Sequence, residues 1–215
     1  MLKLIKGIIF DLDGVICHTD HYHYLAWKQI ADEQGIYFDE VINNRLRGVS
    51  RMESLNIILE GTTRGYSDEE KIALTERKND VYRELLQNLC ALDLSDEVKE
   101  TLVYLRMKRL RIAIGSSSKN AKLILERIGL DNFFDAISDG TNISNSKPDP
   151  EVFLRAAEML GLMPEECLVV EDATAGILAA QRGGFQSAAI GDAATMCDAK
   201  VKLNSFSDLK KCISL

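Results

Sequence analysis

Hydrophobic and polar positions alternate differently in two parts of this chain. The opening MLKLIKGIIFDLDG carries a short apolar segment that runs straight into Asp11 and Asp13, and it reads as a first β-strand. Period two along such a strand points both carboxylates to one side. From residue 20 to about 92 the pattern turns helical. HYHYLAWKQIADEQG places Tyr24, Trp27, Ile30 and Ala31 at helical spacing before Gly35. Ser50 and Ser67 each precede a glutamate three positions on, Glu53 and Glu70, the mark of a capping box at a helix start. SDEEKIALTERKNDVYRELLQNL is expected as one long helix, and no strand is expected in this region.

Beyond residue 93 the texture becomes an alternation. LRIAIGSSS, ECLVVED and QSAAIG read as short buried strands; KNAKLILERIG, PDPEVFLRAAEMLG and TAGILAAQRGG between them read as helices. Such alternation builds a parallel sheet from βαβ units. The first strand stands apart from the others, separated by the helical stretch. The expected fold is therefore α/β: a doubly wound parallel-sheet core, residues 1–18 and 93–215, with an inserted all-helical cap, residues 19–92. No low-complexity segment or repeat of fixed period interrupts it.

Composition narrows the class without naming a function. The 215 residues suffice for one large domain or a core with an insert, and 46% hydrophobic with 27% charged residues is ordinary for a globular chain. No apolar run approaches the ~18 residues of a membrane span, and the N-terminus lacks a signal-peptide cleavage region. Five scattered cysteines without a CxxC pair argue against a disulfide framework and a zinc site. A reduced, cytoplasmic setting, a monomer and no membrane partner are the expectations. Net charge −7 without a long basic run points away from nucleic acid.

That acidic balance sharpens the question of the first two carboxylates. Paired a few ångströms apart they repel, and one normally takes up a proton unless a cation is near. In open parallel sheets ligands bind beyond the carboxyl ends of the strands. Three polar clusters fall at such ends, namely Asp11 with Asp13, Ser116 to Asn120, and Glu171 with Asp172; Lys147 lies in a loop before a helix. Together they suit a magnesium and phosphate site. Asp11 could act as nucleophile and Asp13 as general acid/base, with the metal held by Asp11, a backbone carbonyl near Asp13, and Glu171 or Asp172. Ser116 could bind phosphate through its hydroxyl, and Lys147 could neutralise a transferring phosphoryl group. Each cluster also has a plainer explanation: turn caps for the aspartates, an N-cap for Ser116, a solvated lysine, and polar punctuation after a buried strand. In the helical stretch, His23 could hydrogen-bond Asp13. Arg51, in the first turn of a helix capped by Ser50, could grip a second phosphate bidentately or simply face solvent.

DLDGV, Ser116, Lys147 and Glu171-Asp172, in that order, resemble the haloacid dehalogenase superfamily of phosphotransferases. The resemblance spans essentially the whole chain. It implies an aspartyl-phosphate mechanism, in which Asp11 attacks phosphorus, Asp13 protonates the leaving oxygen and Mg²⁺ shields the charge. DLDGVICHTDHYHYLAWK, RGVSRMESL, ERKND, SSSKN, NSKPDPEVF and EDATAGI are further similar to the branch of mutases that converts β-glucose 1-phosphate to glucose 6-phosphate through a 1,6-bisphosphate. That similarity implies a substrate pocket lined by Thr19, His23, Trp27, Gly48, Val49, Ser50, Arg51, Ser54, Lys78, Ser118 and Asn120. His18 departs from it, standing where the family more often has an acidic residue. A sugar-phosphate phosphatase would share the core and the first half-reaction, and a non-catalytic sugar-phosphate binder would share the fold.

Overall fold

The computed structural model describes residues 4–46 and 49–213. Strands β1 (Gly7–Phe10), β2 (Arg111–Gly115), β3 (Ala136–Ser138), β4 (Cys167–Glu171), β5 (Gln186–Ala189) and β6 (Val201–Lys202) form one sheet. Their order is β3-β2-β1-β4-β5-β6, and every pairing is parallel. β1 occupies the middle, pairing with β2 on one side and β4 on the other, so the chain leaves it at the point where strand order reverses.

Parallel sheets are covered on both faces, which is why the strands read as continuous apolar runs. Period two sends alternate side chains into two separate cores. Ile8, Phe10, Ile112, Ile114, Leu168 and Val170 enter one; Ile9, Ala113 and Val169 enter the other. Helices α5 (Asp96–Met107) and α6 (Ala121–Arg127) bury Leu102, Leu105, Ile124 and Leu125 in the first core. Helix α7 (Glu151–Leu160) presses Val152, Phe153 and Ala156 into the second, where α8 (Thr174–Arg182) adds Ala179 and Ala180. Each large apolar side chain so buried contributes about 1.5–3 kcal/mol. The short helices α9 (Asp192–Met196) and α10 (Leu209–Ile213) complete the core.

Between β1 and α5 every described element is helical: α1 (Asp20–Glu33), α2 (Glu40–Asn44), α3 (Arg51–Leu59), α4 (Asp68–Leu85) and two 3₁₀ turns, Leu86–Asn88 and Ala91–Asp93. This cap has a small core of its own, with Trp27, Ile30, Phe38, Leu55 and Ile58. Ala26, Val81, Tyr82 and Leu86 instead join the core under the sheet. Helix α1 thus contributes to both cores, and α4 packs on α1 while joining the core under the sheet.

The sequence pattern anticipates β1, β2, β4 and β5 but passes over β3 and β6, which have three and two residues and no alternation to detect. It also leaves α5 unassigned, although Ser95 caps it through the Val98 amide. The helix expected through Leu89 stops at Leu85 and tightens into the 3₁₀ turn. Ser67 and Glu70 form the full capping box, whereas at Ser50 the described half is the hydroxyl accepting from the Glu53 amide.

Candidate active site

Everything with chemical potential converges where β1 ends. The Asp11 amide still donates to Val170 O at 2.9 Å, so the first carboxylate is set by the sheet itself. The chain then coils tightly: the Ile16 and Cys17 amides donate to Leu12 O at 3.0 and 3.2 Å. Gly14 makes this turn possible. It adopts φ +86°, and a Cβ there would lie 2.2 Å from Asp172 Oδ2. An aspartate-glycine pair at this place is therefore what lets the loop after β1 and the loop after β4 pack together. Gly176 serves the neighbouring carboxylate in the same way, since a Cβ on it would stand 1.9 Å from Glu171 Oε1.

Asp11, Glu171 and Asp172 are all buried, and each offers an oxygen within 4.8 Å of the others. Lys147, 4% exposed, places its Nζ 2.5 Å from Asp11 Oδ1 and 2.5 Å from Glu171 Oε1. Burial raises the Asp11 carboxyl to about 6; Lys147 pulls it down and Glu171 pushes it up. Burial also opposes the charge on Lys147, but Asp11 and Glu171 outweigh it and hold the ammonium above its usual value. Among the described residues the Lys147 ammonium bridges two of the three carboxylates. Hard carboxylate oxygens gathered this closely fit a divalent cation of the magnesium type.

Asp13 belongs to a different environment. Its side chain accepts from the Thr19 hydroxyl, and Thr19 Oγ1 accepts in turn from Tyr82 OH at 3.1 Å. Burial foremost, then Asp11, Asp20 and Asp172, raises the Asp13 carboxyl well above its ordinary value, against a smaller pull from Lys78. One aspartate thus faces the Lys147 ammonium while the other has mainly negative charge around it. That is how two like groups come to differ in proton affinity.

The loop after β2 is built from side-chain turns. Ser116 Oγ accepts from the Ser118 amide at 3.1 Å, and Ser118 Oγ accepts from the Asn120 amide at 3.2 Å. Accepting in this way leaves the Ser116 O–H proton available as a donor. The cap closes over this floor and encloses a cavity of about 430 Å³. Among the residues expected in the pocket, His23, Trp27, Val49, Ser50, Arg51, Ser54, Lys78, Ser118 and Asn120 line it, as do Ser116, Lys147 and the four acids. Thr19 is fully buried and reaches the site through Asp13. Gly48 lies outside the described residues.

His23 does not make the expected bond to Asp13. Its Nδ1 is 2.8 Å from Lys78 Nζ, and its ring stacks on Tyr82 with centroids 4.1 Å apart. Burial, Lys78 and Arg51 lower its proton affinity well below the usual value, so a neutral imidazole receives the Lys78 hydrogen. Lys78, 2% exposed, also sits over the Tyr82 and Trp27 rings, at 4.4 and 5.2 Å. Burial and Arg51 lower its proton affinity in turn. Tyr82, Asn79 and Arg83, all on α4, take part in the site although nothing in the sequence singled them out. The available signals were Asn79 following Lys78 and the four-residue spacing to Arg83, which put both on one helical face.

Residues 5–184 match the family model described as haloacid dehalogenase-like hydrolase. The chain belongs to that family. The β-phosphoglucomutase of Bacillus subtilis is 42% identical over 206 residues, covering 95% of this chain and 91% of that protein. A phosphorylated carbohydrates phosphatase of Thermotoga maritima is 32% identical, covering 84% and 82%. The crystal structure of a β-phosphoglucomutase from Clostridium difficile superposes with a TM-score of 0.91 at 37% identity, over 98% of this chain and 96% of that one. This haloacid dehalogenase-like enzyme therefore has the family's α/β core and helical cap, and it carries a buried acidic cluster suited to a metal. Among the described residues no helix is long and apolar enough to cross a membrane.

Proposed function

We propose that this protein is a β-phosphoglucomutase, converting β-glucose 1-phosphate to glucose 6-phosphate through an aspartyl-phosphate and β-glucose 1,6-bisphosphate. The observation that carries the reading is a cavity lined by basic side chains from both sides, Lys147 on the core and Arg51 with Lys78 on the cap. A bisphosphate has two ends to hold. The 42% identity to the Bacillus subtilis enzyme supports the same choice.

In this reading an Asp11 oxygen forms a bond to phosphorus as the bond from phosphorus to the sugar oxygen breaks. Asp13 gives that oxygen its proton and later takes one from the hydroxyl that receives the phosphoryl group. Lys147 and the Ser116 hydroxyl hold the transferring phosphoryl oxygens, while Arg51 with Asn120 and Ser118 holds the other phosphate. His23, Trp27, Val49, Ser50, Ser54 and Lys78 surround the sugar, with Thr19 fixing Asp13 from below and Gly48 expected beside Val49. Asp11, the Asp13 backbone carbonyl, Glu171 and Asp172 would hold Mg²⁺, which shields the negative charge of nucleophile and phosphate from each other. The cap, taken as residues 19–92, keeps water from the phosphoenzyme, so transfer to sugar outruns hydrolysis.

The likeness to the Thermotoga maritima phosphatase supports a second reading, a Mg²⁺-dependent sugar-phosphate phosphatase with the same first step. One assay separates the two. β-Glucose 1-phosphate is supplied with Mg²⁺ and a trace of glucose 1,6-bisphosphate, the α anomer serving as control, and glucose 6-phosphate and free phosphate are followed together. Glucose 6-phosphate from the β anomer with little free phosphate is the expected result. Free phosphate as the main product would replace the mutase with the phosphatase.

A further inference from the structure

A bond network at the edge of the cavity joins the cap to the core through two side-chain amides, those of Asn79 and Asn120. Asn79 Oδ1, on α4 of the cap, accepts from Asn120 Nδ2 at 2.8 Å, and Asn120 closes the core's Ser116–Asn120 loop. The same oxygen accepts from Arg51 Nη2 at 2.9 Å, on α3. At the other end of the Asn120 amide, Oδ1 accepts from Arg83 Nη1 at 3.3 Å. Asn79 and Arg83 stand four residues apart, one turn along the same face of α4. They therefore grasp an amide that is 3% exposed from both of its ends.

We infer that Asn79 is a positioning residue, a clasp that holds the cap against the core by supplying one acceptor to donors from both sides. The two donors it gathers, on Arg51 and Asn120, are those assigned above to the non-transferring phosphate; that part of the inference rests on the mutase reading. Its carbonyl stands in for a phosphate oxygen while no sugar phosphate is bound. The substitution is reversible because an amide oxygen is neutral. A phosphate oxygen adds charge–charge attraction to the guanidinium and can take two of its N–H groups at once, neither of which the amide oxygen offers, so the ligand displaces the amide rather than the reverse. The clasp thus needs an acceptor at position 79, not specifically an amide.

The test uses the full chain without sugar phosphate, with residual dipolar couplings reporting cap orientation relative to core. Wild type and Asn79→Asp should both fit the orientation described here, since a carboxylate accepts from both donors. Asn79→Ala should depart from it. An Asn79→Ala protein whose couplings fit as well as the wild type overturns the clasp, and so does an Asn79→Asp protein that departs as far as the alanine variant. In the mutase assay, Asn79→Ala should release about tenfold more free phosphate per glucose 6-phosphate, the worth of one or two hydrogen bonds. An unchanged ratio would also count against it. Orientation is measured without substrate, so a wild type that makes no glucose 6-phosphate would count against the mutase reading while the clasp stands on the couplings.

Discussion

The floor and the roof of the cavity are electrostatic opposites. On the floor, Asp11, Glu171 and Asp172 lie together, and the Lys147 ammonium bridges the first two. On the roof, Arg51 and Lys78 sit in or near the interior, and their described bonds go to a neutral amide and a neutral imidazole, Asn79 and His23. In the proposed reading the floor takes a cation and the roof an anion. A metal ion with a phosphorylated sugar supplies both. The difference also explains why the floor is built on strand ends and the roof on helices. In the proposed mechanism a nucleophile and metal ligands need rigid support, whereas groups that recognise the far end of a substrate can be carried on a cap.

The floor should break most completely at Asp11, the nucleophile of the proposed mechanism. Asp11→Asn should abolish turnover by at least about 10⁴-fold while leaving a folded protein, because the amide keeps an acceptor for Lys147. Steady-state assay beside circular dichroism checks both halves of that expectation. Lys147→Ala should rank next. Removing one partner of a buried ion pair costs about 3–5 kcal/mol, so the metal-free melting temperature should fall. Added Mg²⁺ should recover more of it than the wild type gains, since the carboxylates then lack their only described ammonium.

The roof should fail differently. Arg51→Ala should lower mutase turnover about 100-fold while hydrolysis of a small phosphate ester, which has no second phosphate, falls less than about threefold. Equal losses would take Arg51 away from the distal phosphate. The smallest effect concerns the thread between the two halves, Tyr82 to Thr19 to Asp13. Tyr82→Phe should cost about 1 kcal/mol in stability. Without the tyrosine hydroxyl, Thr19 donates less strongly to the Asp13 carboxylate. The ionised form is then less favoured, and the proton affinity of Asp13, already raised mainly by burial, rises further. The limb of the pH–rate profile that reports Asp13 should move upward.

Much of the floor can be read along the chain because each of its parts follows a strand or opens a loop. An apolar run ending in Asp11, CLVV ending in Glu171, and IAIG ending before Ser116 are local patterns, and parallel topology then gathers strand ends on one edge. The roof is harder. Arg51 announces itself through the Ser50 cap, but His23 turns to Lys78 rather than Asp13, a choice set by the packing of α1 on α4 and by the stack on Tyr82. Asn79 and Arg83 look like surface polar residues of a charged helix. Only the seating of α4 against the Ser116–Asn120 loop gives them partners.

By itself the sequence determined the alternation of strand and helix, the interruption after the first strand, and the order of the polar clusters, since these depend on hydrophobic period and short-range turn chemistry. The tertiary structure alone decided which carboxylate faces Lys147 and which is left among negative charges. It also decided that Thr19 is buried behind Asp13, and that the Asn79 amide oxygen gathers one donor from the cap and one from the core. Such outcomes depend on distances between residues far apart in the chain, and on the loss of water around them, which no local pattern records.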